Sequence, residues 1–345
     1  MKNLKKTILV IFVLILAAAP VFSMDLAKLQ ENLGGFTDNM ATALPFNSSI
    51  GLNWSDAYIG QLLAVPPHFG IGVTTGFTTM KFDAINGLLD MFGESMPLSD
   101  VDMLKNIGLP LPAYTVDARI GGIIKPFDIG IKAGYIPPDL MGNMFDSFDN
   151  FGLNYLLVGA DFRYSLINKK ILPIRLSVGL GVNYLQGGIN TSISGENLSF
   201  KFTDTNDDEY TLFPGDVNMG LEWKTVSAEL KAHVSFPFKI VTPYAGVGIS
   251  YARSEAGLKF KSDISIKDNS DVDVDLKDVE EILKGYGLSG ITAQGFESMN
   301  KLNGFNTRIY GGTSFNMIVI RLDLTAMYEI IGNNLGATIG LRFQL

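Results

Sequence analysis

The residues best placed to do chemistry together are His233 and Ser235, one position apart around Val234. On a strand that spacing puts imidazole and hydroxyl on one face, where a histidine can activate a serine nucleophile. Glu229 and Lys231 share the same parity, so His233 also reads as one more polar residue on a polar strand face. His68, beside the turn at Pro66-Pro67, is the chain's only other histidine. Two acidic runs invite a cation: Asp204 to Glu209, and Asp271-Val272-Asp273-Val274-Asp275. The second opens like an EF-hand loop, but Leu276 stands where that loop needs glycine and Ile282 where it needs its closing glutamate. The expectation is therefore no metal, no cofactor and no enzyme.

The remaining charges suggest a different chemistry. Asp117, Arg119, Asp128, Lys132, Asp161, Arg163, Arg175, Glu229, Lys231, His233, Arg308, Arg321, Asp323, Glu329 and Arg342 all alternate with apolar residues. In segment after segment the period is two, as in Tyr114, Val116, Ala118 and Ile120 against Thr115, Asp117 and Arg119. The same pattern marks Phe69 to Phe77, Phe127 to Tyr135, Leu156 to Tyr164, Ile174 to Tyr184, Val226 to Phe236, Ala245 to Tyr251 and Phe305 to Phe315. It is clearest at the end, where Ile318 to Ile330 and Leu335 to Leu345 flank the turn Gly332-Asn333-Asn334. About ten residues of strand cross a tilted bilayer path.

The closing segment, apolar on one face and carrying Phe343 two residues from the end, resembles the last strand of bacterial outer-membrane β-barrels. The resemblance covers nearly all of the chain. It implies an all-β fold, a transmembrane antiparallel up-and-down barrel in the outer membrane, with membrane lipid around it. It also implies recognition by the barrel-assembly machinery through Leu335 to Leu345. Segments Phe46 to Trp54 and Tyr58 to Val65 bring the strand count to about twelve, or ten if they do not enter the wall. Connections alternate between short and mostly long, as periplasmic turns and extracellular loops do. Placed by that rule, the outward aromatics sort into two rims: Phe77, Tyr114, Tyr135, Tyr184, Tyr251 and Tyr328 outside, and Phe69, Phe127, Phe162, Tyr164, Phe236, Phe315 and Phe343 inside. A charge facing lipid is costly, so the fifteen charged positions belong in the lumen.

Composition agrees. Charged residues make up 18% of the 345, there are 37 glycines and no cysteines, and the net charge of −8 argues against a nucleic-acid partner. Met1 to Lys6 is basic and Thr7 to Ala18 apolar, so residues 1–23 read as a cleaved signal peptide ending at Val21-Phe22-Ser23. Residues 24–45 read as an N-terminal segment, a helix broken at Gly34-Gly35, that is either a periplasmic lead-in or a plug. Residues 46–345 read as the barrel. Ala84 to Phe92 and Asp100 to Ile107 read as short helices in an extracellular loop. Apolar loop residues, Phe92, Met144, Phe145 and Phe148 among them, need a partner. Loop helices with an N-terminal plug resemble the outer-membrane long-chain fatty acid transporters, which implies passage of small, hydrophobic solutes. The alternative is a non-transporting surface barrel that binds host or neighbour partners through its loops. The His-x-Ser pair is similar to that of outer-membrane lipid A deacylases. Those enzymes turn it toward lipid near the outer leaflet, whereas parity here turns it into the lumen near the inner rim.

Overall fold

The computed structural model describes residues 26–59, 67–81, 108–124, 126–136, 151–168, 174–193, 200–203, 209–213, 217–262, 265–268 and 295–345. A helix, α1 (Leu26–Ser48), precedes thirteen strands. In chain order these are β1 (His68–Met80), β2 (Leu109–Gly121), β3 (Phe127–Ile136), β4 (Phe151–Ile167), β5 (Arg175–Ile193), β6 (Phe200–Thr203) and β7 (Glu209–Phe213). They continue with β8 (Val217–Ser235), β9 (Val241–Ser262), β10 (Ser265–Asp268), β11 (Gly295–Met317), β12 (Ile320–Glu329) and β13 (Asn334–Gln344). Ten of them close into a barrel in the order β1-β13-β12-β11-β9-β8-β5-β4-β3-β2, every pair antiparallel. The others form a separate sheet, β10-β7-β6. Ten is the lower of the two expected counts. The seam is made by the last strand, with Ile71 opposite Phe343 and the Leu345 N–H donating to the Phe69 carbonyl.

The wall begins at His68 and not at Phe46. Residues 46–59, which cover the expected strand Phe46 to Trp54 and only the start of Tyr58 to Val65, lie inside the barrel, and 60–65 lie outside the described residues: α1 runs unbroken through Gly34-Gly35 to Ser48, and a buried coil follows to Ile59. Alternation misled here because Ile50, Leu52 and Trp54 are buried by a wall that surrounds them on every side. Of the two readings of the N-terminal segment, lead-in or plug, the described residues take the plug's place, and it extends well past residue 45. Residues 1–25, the loop segments 82–107 and 137–150 with Phe92, Met144, Phe145 and Phe148, and most of both acidic runs lie outside the described residues.

Short connections at 122–126, 168–174, 236–240 and 318–319 mark one end of the barrel. The other end carries the long ones and the turn at 330–333. Wall height is uneven. Strands β3, β12 and β13 have 10 or 11 residues, close to what a bilayer crossing needs. Strands β5 and β8 have 19, β9 has 22 and β11 has 23, so four adjacent strands stand well above the membrane on the long-loop side.

Along those tall strands the two faces exchange character. On β8 the outward residues run from Val226 and Leu230, both about half exposed, to Lys224 and Glu222 farther up. On β9 the change comes between Tyr251 and Arg253, level with Phe305, whose ring meets that of Tyr251 at 5.1 Å. Above that line the charges pair across strands, Lys259 with Glu222 at 2.7 Å and Lys301 with Glu255 at 3.5 Å. The inward face changes the opposite way, from Glu229 and Lys231 low on β8 to Leu221 high on it, and from Asp161 and Arg163 on β4 to Leu157 and Tyr155. Below the line the barrel is apolar outside and polar inside, as lipid demands. Above it the arrangement is that of a water-soluble sheet.

Candidate functional site

The candidate site is the lumen. Of the fifteen charged positions, fourteen are buried inside the wall and Arg175 is half-buried near the short-turn end. The plug is packed against them from Phe36 to Ile59 and meets two kinds of surface.

The upper surface is apolar. Phe36, Met40, Ala43, Leu44 and Phe46 pack with Met80, Leu109, Tyr155, Leu157, Leu185, Leu221 and Leu258, all buried. These wall residues are the inward members of strands whose inner face turns apolar toward their long-loop ends. Helix and wall also share polar contacts: Asn300 donates to the Gly34 carbonyl at 3.1 Å and to Thr37 Oγ1 at 2.7 Å, and Asn47 donates to Thr78 and to the Leu111 carbonyl.

The lower surface is ionic. A chain of alternating charge crosses β4, β3, β2 and β8: Arg163, Asp128, Arg119, Asp161 and Lys231, with contacts of 2.5 to 2.8 Å. Arg308 grips Glu229 at 2.6 Å across the intervening β9. That span needs a glycine between the partners: a Cβ on Gly248 would sit 2.3 Å from Glu229 Oε1. Gly130 plays the same part beneath Arg119 and Asp161, where a Cβ would come within 2.6 Å of Asp161 Oδ1. Glycine at these two positions lets ion pairs lie flat across a neighbouring strand.

Into this network the coil of the plug is bonded almost residue by residue. Lys132 donates to the carbonyls of Ser48 and Ile50 at 2.7 and 2.6 Å. Leu52 and Ile59 donate their N–H groups to Asp117 and Asp128. Arg163 donates to the Asp56 carbonyl at 2.6 Å, and Arg308 to the Asn53 side chain at 3.1 Å. Trp54 lies under two guanidinium groups, Arg119 at 5.7 Å and Arg342 at 4.8 Å from the ring centre. Asp56 is the plug's own charge in this region. Its carboxylate accepts from Arg321 and Arg342, each at 2.8 Å, while Arg342 also binds Asp323 at 2.6 Å. Burial alone would disfavour the Asp56 carboxylate, and the two guanidinium groups offset that cost.

The remaining sequence candidates take structural places. His233 shares one ring nitrogen with the Ser55 carbonyl at 2.9 Å and the other with the Tyr310 hydroxyl at 3.3 Å. Neither nitrogen is directed at Ser235, whose buried hydroxyl has no hydrogen-bond partner in the protein. Glu329 accepts from the Gly332 N–H and from Asn334, holding the β12–β13 turn rather than joining the ion chain. Among the described residues no group of three or more His, Cys, Asp or Glu is placed to hold a metal ion. A lumen cavity beside Ser177 and His233 measures about 10 Å³, room for roughly one water. Sequence reasoning missed Asn53, Trp54 and Asp56, which it placed in a wall strand and a turn. The available signal was the pair of facing partners: fifteen inward charges in a narrow barrel need something to bond.

The model of a protein family described as Lsa36-like matches residues 66–345, the entire wall without the plug. No curated protein matches the chain. Solved structures similar to it are outer-membrane barrels. The outer membrane protease OmpT from Escherichia coli shares 10% identity, with 83% of this chain and 100% of that chain covered and a TM-score of 0.38. Ail, the attachment invasion locus protein of Yersinia pestis, shares 9% over 81% of this chain and 97% of that one, with a TM-score of 0.25. A toluene transporter of Ralstonia pickettii, TbuX, shares 10% over 88% and 94%, at 0.23.

Proposed function

The chain belongs to the Lsa36-like family, and we propose that this outer-membrane barrel is a sealed surface protein. In this reading it binds partners through the tall β5–β8–β9–β11 wall and the loops above it, and does not pass solutes. The observation that carries the reading is the filled lumen: every plug residue from Ala43 to Ile59 is buried, and the coil's backbone is bonded to the wall on several sides. The tall wall supplies the surface. Its outward face above the membrane is charged and already paired, which suits a wet, polar interface more than a greasy one. On the same reading the protein is not a hydrolase, since the imidazole of His233 is committed to the plug.

The rival reading, passage of small, hydrophobic solutes past a displaceable plug, draws on one feature. The lower contacts are polar, and water can replace polar contacts more cheaply than apolar ones. Single-channel conductance of the refolded protein separates the two. The sealed reading expects a quiet bilayer with folded barrel present. Stable, stepwise conductance would put passage in front. A signal peptide at residues 1–23 accords with an outer-membrane destination, and N-terminal sequencing of the membrane-inserted protein checks the cleavage after Ser23.

A further inference from the structure

The direction in which the plug crosses the lumen has a consequence for the surface of the cell. Near its beginning, α1 is fixed at Gly34 and Thr37 by Asn300. On β11 that residue stands opposite Ala256 on β9, above the Tyr251–Phe305 line where the outward face becomes charged. Farther along, Ser48 meets Ser227, halfway down β8. Lower still, Asp56 meets Arg321 and Arg342. At its end, the Ile59 N–H reaches Asp128 next to the 122–126 turn, and a Cβ on Gly121 would strike Ile59. The segment therefore descends in one direction, from the long-loop end to the short-turn end. The wall then starts at the short-turn end with His68. Short turns of such barrels face the periplasm and long loops face outward.

We infer that the barrel carries its own N-terminal segment across the outer membrane, so that the first turns of α1 are presented at the cell surface, at the long-loop end of the barrel. The segment is tethered at its inner end, through β1, and its outer end is held by the noncovalent contacts of α1. Its path also bridges the seam: Asp117 of β2 and Arg342 of β13, which flank β1 on either side, both bond it. The low rim at β12 and β13 leaves Asp38 and Thr42, one turn apart on α1, exposed to solvent at the outer mouth. This display does not depend on whether the loops bind a partner, and it holds equally for a sealed or a conducting barrel.

Because the chain has no cysteine of its own, single cysteines report its orientation directly. Three variants are made in the full chain: Asp38→Cys on α1, Ile331→Cys on the outer β12–β13 turn, and Lys239→Cys on the inner β8–β9 turn. A membrane-impermeant maleimide is applied to intact cells and, separately, to cells with a permeabilised outer membrane. The expected result is that Asp38→Cys labels on intact cells to the same extent as Ile331→Cys, while Lys239→Cys labels only after permeabilisation. Asp38→Cys behaving like Lys239→Cys would overturn the inference, and so would an inverted pattern for the two turns. A second arm places a flexible, protease-cleavable tag immediately before Leu26 and checks folding by heat-modifiable gel mobility. Cleavage by external protease on intact cells is expected; cleavage that needs permeabilisation overturns the inference independently of the cysteine variants.

Discussion

The upper and lower halves of the lumen hold the same segment by different physics. Above, Phe36, Met40, Leu44 and Phe46 are packed as the core of a soluble protein is packed, by area removed from water. Below, the coil from Ser48 to Ile59 is held by directed bonds to charged side chains of the wall. The first kind of contact is forgiving in direction and grows with apolar area. The second is specific in register, because each carbonyl, N–H and carboxylate must meet its own wall residue. Division of labour follows: the helix supplies adhesion, and on the sealed reading proposed above the coil supplies the seal and the alignment.

The largest effect that could break this comparison is expected at Asp56. Removing it deletes the carboxylate that Arg321 and Arg342 share in a buried site, which should cost about 3–5 kcal/mol. If the coil is the seal, Asp56→Ala should retain a folded barrel by gel mobility yet give measurable conductance where the parent is silent. An equal loss of stability with no conductance would mean that the helix alone closes the lumen.

The matching test above is Leu44→Ala, at a position 2% exposed. A cavity in a packed core costs about 2–5 kcal/mol for this change. Here the unfolding midpoint should drop while the lumen stays closed, since the ionic coil below is untouched. Conductance appearing in Leu44→Ala but not in Asp56→Ala would reverse the assignment of the two halves.

How much of this was readable in the sequence follows the same division. All ten wall strands were legible, because lipid outside and charge inside enforce a strict period of two. The plug's helix was legible in part, from Leu29, Leu33, Phe36 and Met40. The coil was not. Phe46 to Trp54 alternates by accident, since a segment enclosed on all sides is free to bury residues of either parity. The upper wall was also hidden, though Tyr155-Leu156-Leu157-Val158, apolar on both faces, carried the signal of a strand with lipid on one side and a packed core on the other. The inward charges were identifiable singly, but their partners were not, because Glu229 and Arg308 meet across a strand that contributes only Gly248.

The smallest effect is expected at Ser235, and it bears on the enzyme reading directly. The hydroxyl is 1% exposed and has no hydrogen-bond partner in the protein, so Ser235→Ala removes a polar atom from a site that does not bond it. Replacing an unsatisfied buried group by a methyl of nearly the same shape is close to neutral or slightly stabilising, within about 0.5 kcal/mol. His233 has the opposite standing, one ring nitrogen on the Ser55 carbonyl and the other on Tyr310, and belongs to the lower seal. The pair should therefore come apart under mutation: His233→Ala loosens the coil, Ser235→Ala changes neither stability nor conductance, and no lipid hydrolysis is expected of the parent or of either variant. Lipid turnover by the parent that vanishes in both variants would join the two residues as base and nucleophile, and the lower lumen would have to be redrawn around a reaction.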